Sequence, residues 1–378
     1  MEGLLTKPTT YNIEDSNIAL LGSDLEHNVR EHAGDGEPAW ELAGKEPGLK
    51  IWRIEKFHVV DWPKERYGSF YDGDSYIVLH TFKASPDAED LSYDLHFWLG
   101  DNTSQDEAAT AAYKTVELDD HLHGAPIQYR EVDGYESTKF LSYFPRFLSL
   151  KGGVATGFHH VEAAPPDNTK RLYRVTATGT RLVVREVPAE GRSLVPGDAY
   201  VLDMGSNVWQ LNSKGSVGKE RFKAAEFVAS LTNERQGACE VTVFDDGTSG
   251  VGKFLSALGI ETMPTVPQQD TVPAAYPAAL YKLSDSTGAI EFIPVELSRS
   301  SLQSEDAFLL DDSANVVAPA VYVWIGRGSS MRERRLALQY AQQYLYKHQA
   351  GSRARLAVNL VKMVEGRETE GLSRALGE

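Results

Sequence analysis

Apolar and polar residues alternate along the chain in three similar segments: "LKIWRIEKF" from Leu49, "KRLYRVTAT" from Lys170 and "AALYKLSDS" from Ala278. A period of two predicts a half-buried strand at each. About two dozen residues later come "YDGDSYIVLH" (Tyr71–His80), "VPGDAYVLDM" (Val195–Met204) and "QSEDAFLLDD" (Gln303–Asp312), each with an acidic residue directly ahead of an apolar strand. A third shared piece turns from the strand period into a helical one: "HFWLGDNTSQDEAATAA", "VWQLNSKGSVGKERFKAAEF" and "VYVWIGRGSSMRERRLALQY". Aligning Trp98, Leu211 and Trp324 gives spacings of 113 and 113 residues, and a glutamate stands nine positions after each anchor: Glu107, Glu220 and Glu333. What repeats is a whole domain, not a short solenoid unit.

The boundaries follow from that register. Residues 1–45 read as an N-terminal arm, 46–162 as the first unit and 168–262 as the second. The proline-rich stretch 263–277 reads as a linker, and 278–378 as the third unit. At 42% hydrophobic and 24% charged, each unit can bury its own core. The net charge of −16 argues against nucleic acid, which needs a basic footprint, and leaves cation binding as one use for the carboxylates. No stretch is long and uncharged enough to cross a membrane, no secretory signal opens the chain, and the single Cys239 suits a reducing compartment. The expected location is the cytoplasm.

One motif points elsewhere. Gly247–Phe254, "GTSGVGKF", follows an apolar run and precedes a helical pattern, as a phosphate-cradling loop does. The repeat register argues against that use. "DDGTSGVGKFLSALG" aligns with "VDGYESTKFLSYF" and "VEGRETEGLSRALG", which lack the glycine cradle, and Phe254 stands where a Mg²⁺-binding hydroxyl is required. No G-x-S-x-G, H-E-x-x-H, paired C-x-x-C or G-x-G-x-x-G occurs, so no enzyme is expected.

The repeated carboxylates carry the chemistry. Asp74 and Glu107, Asp198 and Glu220, and Asp306 and Glu333 lie 33, 22 and 27 residues apart. If strand start and helix start are neighbours, each unit offers oxygen ligands at flexible spacing, which suits Ca²⁺. Helix capping competes with that explanation, because Ser104-x-x-Glu107 and Ser330-x-x-Glu333 are capping-box patterns. Val217 occupies the box position in the second unit, yet Glu220 is kept, which favours a ligand role. The segment "AATAAYKTV" (Ala108–Val116) carries one charge in nine residues, fewer than its sister helices, and so predicts a face for a partner.

Together, "AGKEPGLKIWRIEKF", "FYDGDSYIVLHTF", "YDLHFWLG", "SQDEAATAAYKTVELDDHL", "GAPIQYREVDGYES" and "KGGVATGFHHVE" resemble the gelsolin/villin superfamily, and the three-unit length is similar to its severin/fragmin group. The resemblance runs from about Glu37 to the end. It implies an α+β fold of three tandem gelsolin-like domains, each a central mixed β-sheet of five or six strands between one long and one short helix. It implies Ca²⁺-dependent severing of actin filaments and capping of their fast-growing ends. The first unit's Ca²⁺ site would use the Gly73 carbonyl, Asp74, Glu107 and the Val154 carbonyl. A second ion, shared with actin, would use Asp119 and the carbonyls of Gly124 and Pro126. Gly197, Asp198, Glu220 and Asp270 would serve the second unit, and Glu305, Asp306 and Glu333 the third. The long helix, Gln105 to about His121, would wedge into the actin cleft through Gln105, Ala108, Ala109, Ala112, Tyr113, Val116 and Asp119, while the second unit holds the filament's side. Phosphoinositide binding would fall to Lys170, Arg171, Arg174 and Arg181, which read equally as a solvated strand edge. A Ca²⁺-dependent adaptor with a partner other than actin is the competing function.

Overall fold

The computed structural model describes residues 37–153, 170–264 and 278–377, apart from positions 104, 179, 249, 285–290, 316–318, 331, 332, 335, 336, 339, 342, 343 and 346–357. In the first repeat lie β1 (Gly48–Glu55), β2 (His58–Asp61), β3 (Ser69–Tyr71), β4 (Ser75–Lys83), β5 (Leu91–Leu99), helix α1 (Gln105–His121), β6 (Ile127–Val132), α2 (Thr138–Ser142) and β7 (Arg146–Leu150). The second repeat comprises β8 (Arg171–Thr178), β9 (Arg181–Val187), β10 (Ala199–Asp203), β11 (Asn207–Asn212), α3 (Gly218–Glu234), β12 (Glu240–Asp245) and α4 (Val251–Ala257). The third has β13 (Ala279–Ser284), β14 (Glu291–Val295), β15 (Ala307–Asp312), β16 (Ala320–Ile325), β17 (Asn359–Val364) and α5 (Glu370–Ala375), and the described residues between 333 and 345 are helical.

One scheme recurs. β4 pairs antiparallel with β1 and β5, and β5 runs parallel to β6. β10 relates to β8, β11 and β12 in the same way, as does β15 to β13, β16 and β17. A parallel pair needs a long crossover, and the helix between the two strands supplies it. Alternation then sends one set of side chains to the long helix and the other to the short one. In the first repeat Ile77, Leu79 and Leu95 meet Ala111 and Leu118 of α1, while Val78 and Trp98 meet Phe140 of α2. In the second, Val201 meets Phe227 of α3, and Leu202 and Leu211 meet Phe254 of α4. Each buried ring contributes about 1.5–3 kcal/mol. Phe254 is fully buried, so the "GTSGVGKF" lysine-to-helix step serves the core of the second repeat.

The sheets depart from three separate five- or six-stranded ones. β6 and β17 pair antiparallel, fusing the first and third repeats into a ten-stranded sheet of order β14-β13-β15-β16-β17-β6-β5-β4-β1-β2. β3 and β7 leave the first repeat's sheet and join the second's, giving the order β12-β11-β10-β8-β9-β7-β3. An unpaired edge presents a row of backbone donors and acceptors, and sharing strands satisfies them.

Candidate functional site

Each repeat folds its acidic strand start against its helix entrance. In the first, the Gly100 N–H donates to the Asp74 carbonyl at 3.0 Å and the Asn102 N–H to that of Asp72 at 2.7 Å. The third repeat has the same pair: the Gly326 N–H donates to Asp306 at 3.0 Å and the Gly328 N–H to Ser304 at 2.7 Å. In the second, the Ser213 hydroxyl donates to the Asp198 carbonyl at 2.6 Å. The inferred meeting of strand start and helix start is therefore present three times. Asp74 is fully buried, Glu107 is 6% exposed and Glu333 8% exposed.

The first corner has a third wall. Asp72 accepts from Lys151 Nζ at 2.6 Å and from the Gly152 N–H at 3.0 Å, holding residues 151–153 against the strand start. A Cβ on Gly73 would lie 2.5 Å from the Gly152 oxygen, and one on Gly153 would lie 2.6 Å from Asp74 Oδ1. Glycine is required where chain segments approach this closely. The Asp74 carboxylate thus lies beside the residue preceding Val154. Val154 and Asp270 themselves lie outside the described residues. This all-oxygen corner, with a buried carboxylate set against backbone, fits a hard divalent cation. Among the described residues no three His, Cys, Asp or Glu side chains converge on one point, so any metal would draw on carbonyl oxygens.

Cationic side chains already face the aspartates. Arg53 Nη1 lies 3.4 Å from Asp74 Oδ2, Arg174 Nε donates to Asp198 at 2.7 Å and Lys282 Nζ to Asp306 at 2.7 Å. All three come from the first strand of their repeat, at the position after the aromatic residue in "WR", "YR" and "YK". Lining up those strands carried this signal, and the reading of carboxylates alone passed over it. The glutamates also have local work. The Ser330 N–H donates to Glu333 Oε2 at 2.8 Å and the Glu333 N–H to Ser330 Oγ at 3.1 Å, a complete capping box. In the second repeat the Val217 N–H donates to Glu220 Oε2 at 3.3 Å. Half of the box survives without serine, so the retention of Glu220 does not by itself separate ligand from cap.

The long-helix face meets the third repeat. Ala112 packs on a core containing Val323, Tyr344, Leu345 and Leu360, while Tyr113 is 40% exposed. Ala108 and Val116 are half-buried, and the side chains at positions 105 and 109 lie outside the described part. α1 ends where Gly124, at φ +69°, donates its N–H to the Asp119 carbonyl at 2.8 Å, which folds Gly124 back toward Asp119, with Pro126 two residues on. Lys362 of the third repeat reaches Asp119 Oδ2 at 3.2 Å, and Arg367 donates to the Ala125 carbonyl at 2.5 Å. Burial pushes the Asp119 carboxyl above the usual range, and the Lys362 ammonium pulls it back. Sequence reasoning did not find Lys362 or Arg367, because nothing local marks a contact spanning two repeats.

The four basic residues assigned to lipid are dispersed in their bonding. Arg171 pairs with Glu186 at 2.6 Å, Arg174 with Asp198, and Lys170 Nζ donates to the Ala257 carbonyl at 2.9 Å. Arg181 opens β9. Among the described residues no helix is long and apolar enough to cross a membrane.

The sequence profile of the family described as Gelsolin repeat matches residues 57–141 and 288–371. The chain is 40% identical over 333 residues to Gelsolin-like protein 1 of Lumbricus terrestris, covering 86% of this chain and 87% of that protein. It is 36% identical over 356 residues to Severin of Echinococcus granulosus, covering 90% and 92%, and 42% identical over 344 residues to Gelsolin of Gallus gallus, covering 87% and 42%.

Proposed function

Because this chain belongs to the gelsolin family, we propose that it severs actin filaments and caps their fast-growing ends in the cytoplasm under Ca²⁺ control. In this reading α1 is the wedge, with Ala108, Ala112, Tyr113 and Val116 on its contacting face, and the second repeat holds the filament's side. The observation that carries the reading is the cover over α1. Ala112 lies on the third repeat's core and Asp119 is held by Lys362. The seam comprises three backbone pairs, Leu360 with Arg130, Val361 with Tyr129 and Lys362 with Gln128, against six between β5 and β6. So short a ladder can part, although doing so uncovers Phe97 and Tyr129 of the first repeat, which pack with the third repeat's apolar clusters.

The carbonyl of Gly73 with Asp74 and Glu107 would hold Ca²⁺ in the first repeat, Gly197, Asp198 and Glu220 in the second, and Glu305, Asp306 and Glu333 in the third. Asp119 with the Gly124 and Pro126 carbonyls would hold the ion shared with actin. Bound Ca²⁺ supplies a compact double charge that gathers six to eight oxygens without strict geometry. Lys362 holds one Asp119 oxygen, and a metal on this carboxylate would repel the ammonium, so the ion biases the seam. A phosphoinositide contact through Lys170 and Arg181 belongs to the same proposal; Arg171 and Arg174 would have to leave Glu186 and Asp198 to join it.

The test is imaging of single labelled actin filaments with nanomolar protein, in Ca²⁺ and then in chelator. Breaks with non-growing ends in Ca²⁺ alone are expected. Intact, growing filaments in both would hand the function to an adaptor with another partner.

A further inference from the structure

The fold places the same strand at three sites and pairs only two of them. β6, β12 and β17 each run parallel to the strand bearing the repeat anchor, with Glu131, Phe244 and Met363 opposite Trp98, Leu211 and Trp324. Position for position, Gln128, Val241 and Leu360 correspond, as do Tyr129, Thr242 and Val361, and Arg130, Val243 and Lys362. At the β6–β17 seam, Leu360 pairs with Arg130, Val361 with Tyr129 and Lys362 with Gln128. In β12 numbers that register is 241 with 243, 242 with 242 and 243 with 241, a two-fold centred on Thr242. Gln128 and Leu360, one on each side of this seam, are fully buried. β12 ends its seven-stranded sheet, and there Val241 is 43% and Val243 54% exposed.

Two β-branched apolar residues on an open edge form a pairing template. The helix beside it repeats the theme. Ala225 and Phe222 of α3 are exposed, the latter at 67%, and Ala225 stands where Ala112 of α1 packs on the third repeat. We propose that β12 and the adjoining face of α3 form an isologous contact with a second copy of this chain, in the register of the β6–β17 seam. Val241 then faces the partner's Val243, and Thr242 the partner's Thr242. One step outward, Glu240 faces the partner's Phe244, so no carboxylate opposes another. That charge pattern and the internal seam, where two such units already pack without clash, select a second copy over an unrelated peptide.

Sedimentation equilibrium of the full chain in chelator, over about 1–100 μM, the range in which a weak dimer dissociates, tests the contact. A monomer–dimer equilibrium is expected that strengthens with salt, because each copy carries −16 and the contact is apolar. Val243→Lys, exposed and so free of folding cost, should weaken it by about tenfold or more. In a Cys239→Ser background, Thr242→Cys should cross-link across the two-fold under mild oxidation, whereas Glu240→Cys, away from the axis, should not. A chain monomeric throughout and lacking the Thr242→Cys cross-link would overturn the proposal, as would equal cross-linking at both positions. A monomer whose Val243→Lys variant loses filament binding would assign the face to the filament instead.

Discussion

Arg53, Arg174 and Lys282 balance the three aspartates, and each has a different exposure. The Arg53 side chain is 14% exposed beside a fully buried Asp74, so Arg53→Met removes the cation from a buried carboxylate that also accepts from the Tyr76 hydroxyl at 3.3 Å. A loss of about 1–3 kcal/mol is expected in chelator. Arg174, at 39% exposed, should cost less because solvent screens the pair. Thermal melts with and without Ca²⁺ check both, and the deficit should shrink when Ca²⁺ is added. Cap and ligand separate through amidation. In Glu220→Gln and Glu333→Gln the side-chain oxygen still accepts the capping N–H while the charge is gone. The helices should persist by circular dichroism, and calorimetry should find Ca²⁺ binding weakened by about tenfold or more. Unchanged binding would leave these glutamates as caps alone. Asp74 and Glu107 were legible in the sequence because the fold prints them three times. Lys362 was not, since it lies 243 residues from Asp119 and nothing in its own repeat marks the contact.

At the scale of elements, the strand and helix periods gave the right pieces because each has one buried face. α2, α4 and α5 bury Phe140, Phe254 and Leu372 at equivalent corners, and this shared role outweighs the phosphate-loop look of "GTSGVGKF". Phe254→Ala should destabilise the second repeat by about 3–5 kcal/mol, while Lys253→Ala stays within about 0.5 kcal/mol and leaves nucleotide titrations flat. The scarcity of charge on α1 also has a physical reading beyond a future partner. Ala112 is one of the residues on which the third repeat rests. Ala112→Asp should therefore act twice, loosening the seam without Ca²⁺ and abolishing severing with it. Small-angle scattering would show the expansion, and filament imaging the loss. A folded variant that stays compact and still severs would count against both roles of the helix.

For the molecule as a whole, the number of repeats was legible and their joinery was not. Alternation tells which face of a strand is buried, but it is silent on which strand lies at an edge or what pairs with that edge. Hence neither the ten-stranded sheet nor the transfer of β3 and β7 could be read from pattern. The joinery predicts behaviour. Lys362→Glu sets like charges against each other at Asp119 and should open the first and third repeats apart in chelator, seen as an increased radius of gyration. Asp119→Lys combined with Lys362→Glu should restore the compact form.

The fused sheet also has a bearing on how the protein is made. β6 leaves the ribosome long before β17, its partner in the Leu360–Arg130 pairing. At about 5–20 residues per second, the first repeat waits roughly ten to fifty seconds with that edge unpaired. Its edge strand is the polar "IQYREV", whereas its counterpart β17 is the apolar "NLVKMV". The strand that must wait in the crowded cell is the one that water and charge keep from joining a neighbouring nascent chain. The strand that would aggregate is synthesised last, with its docking site already folded.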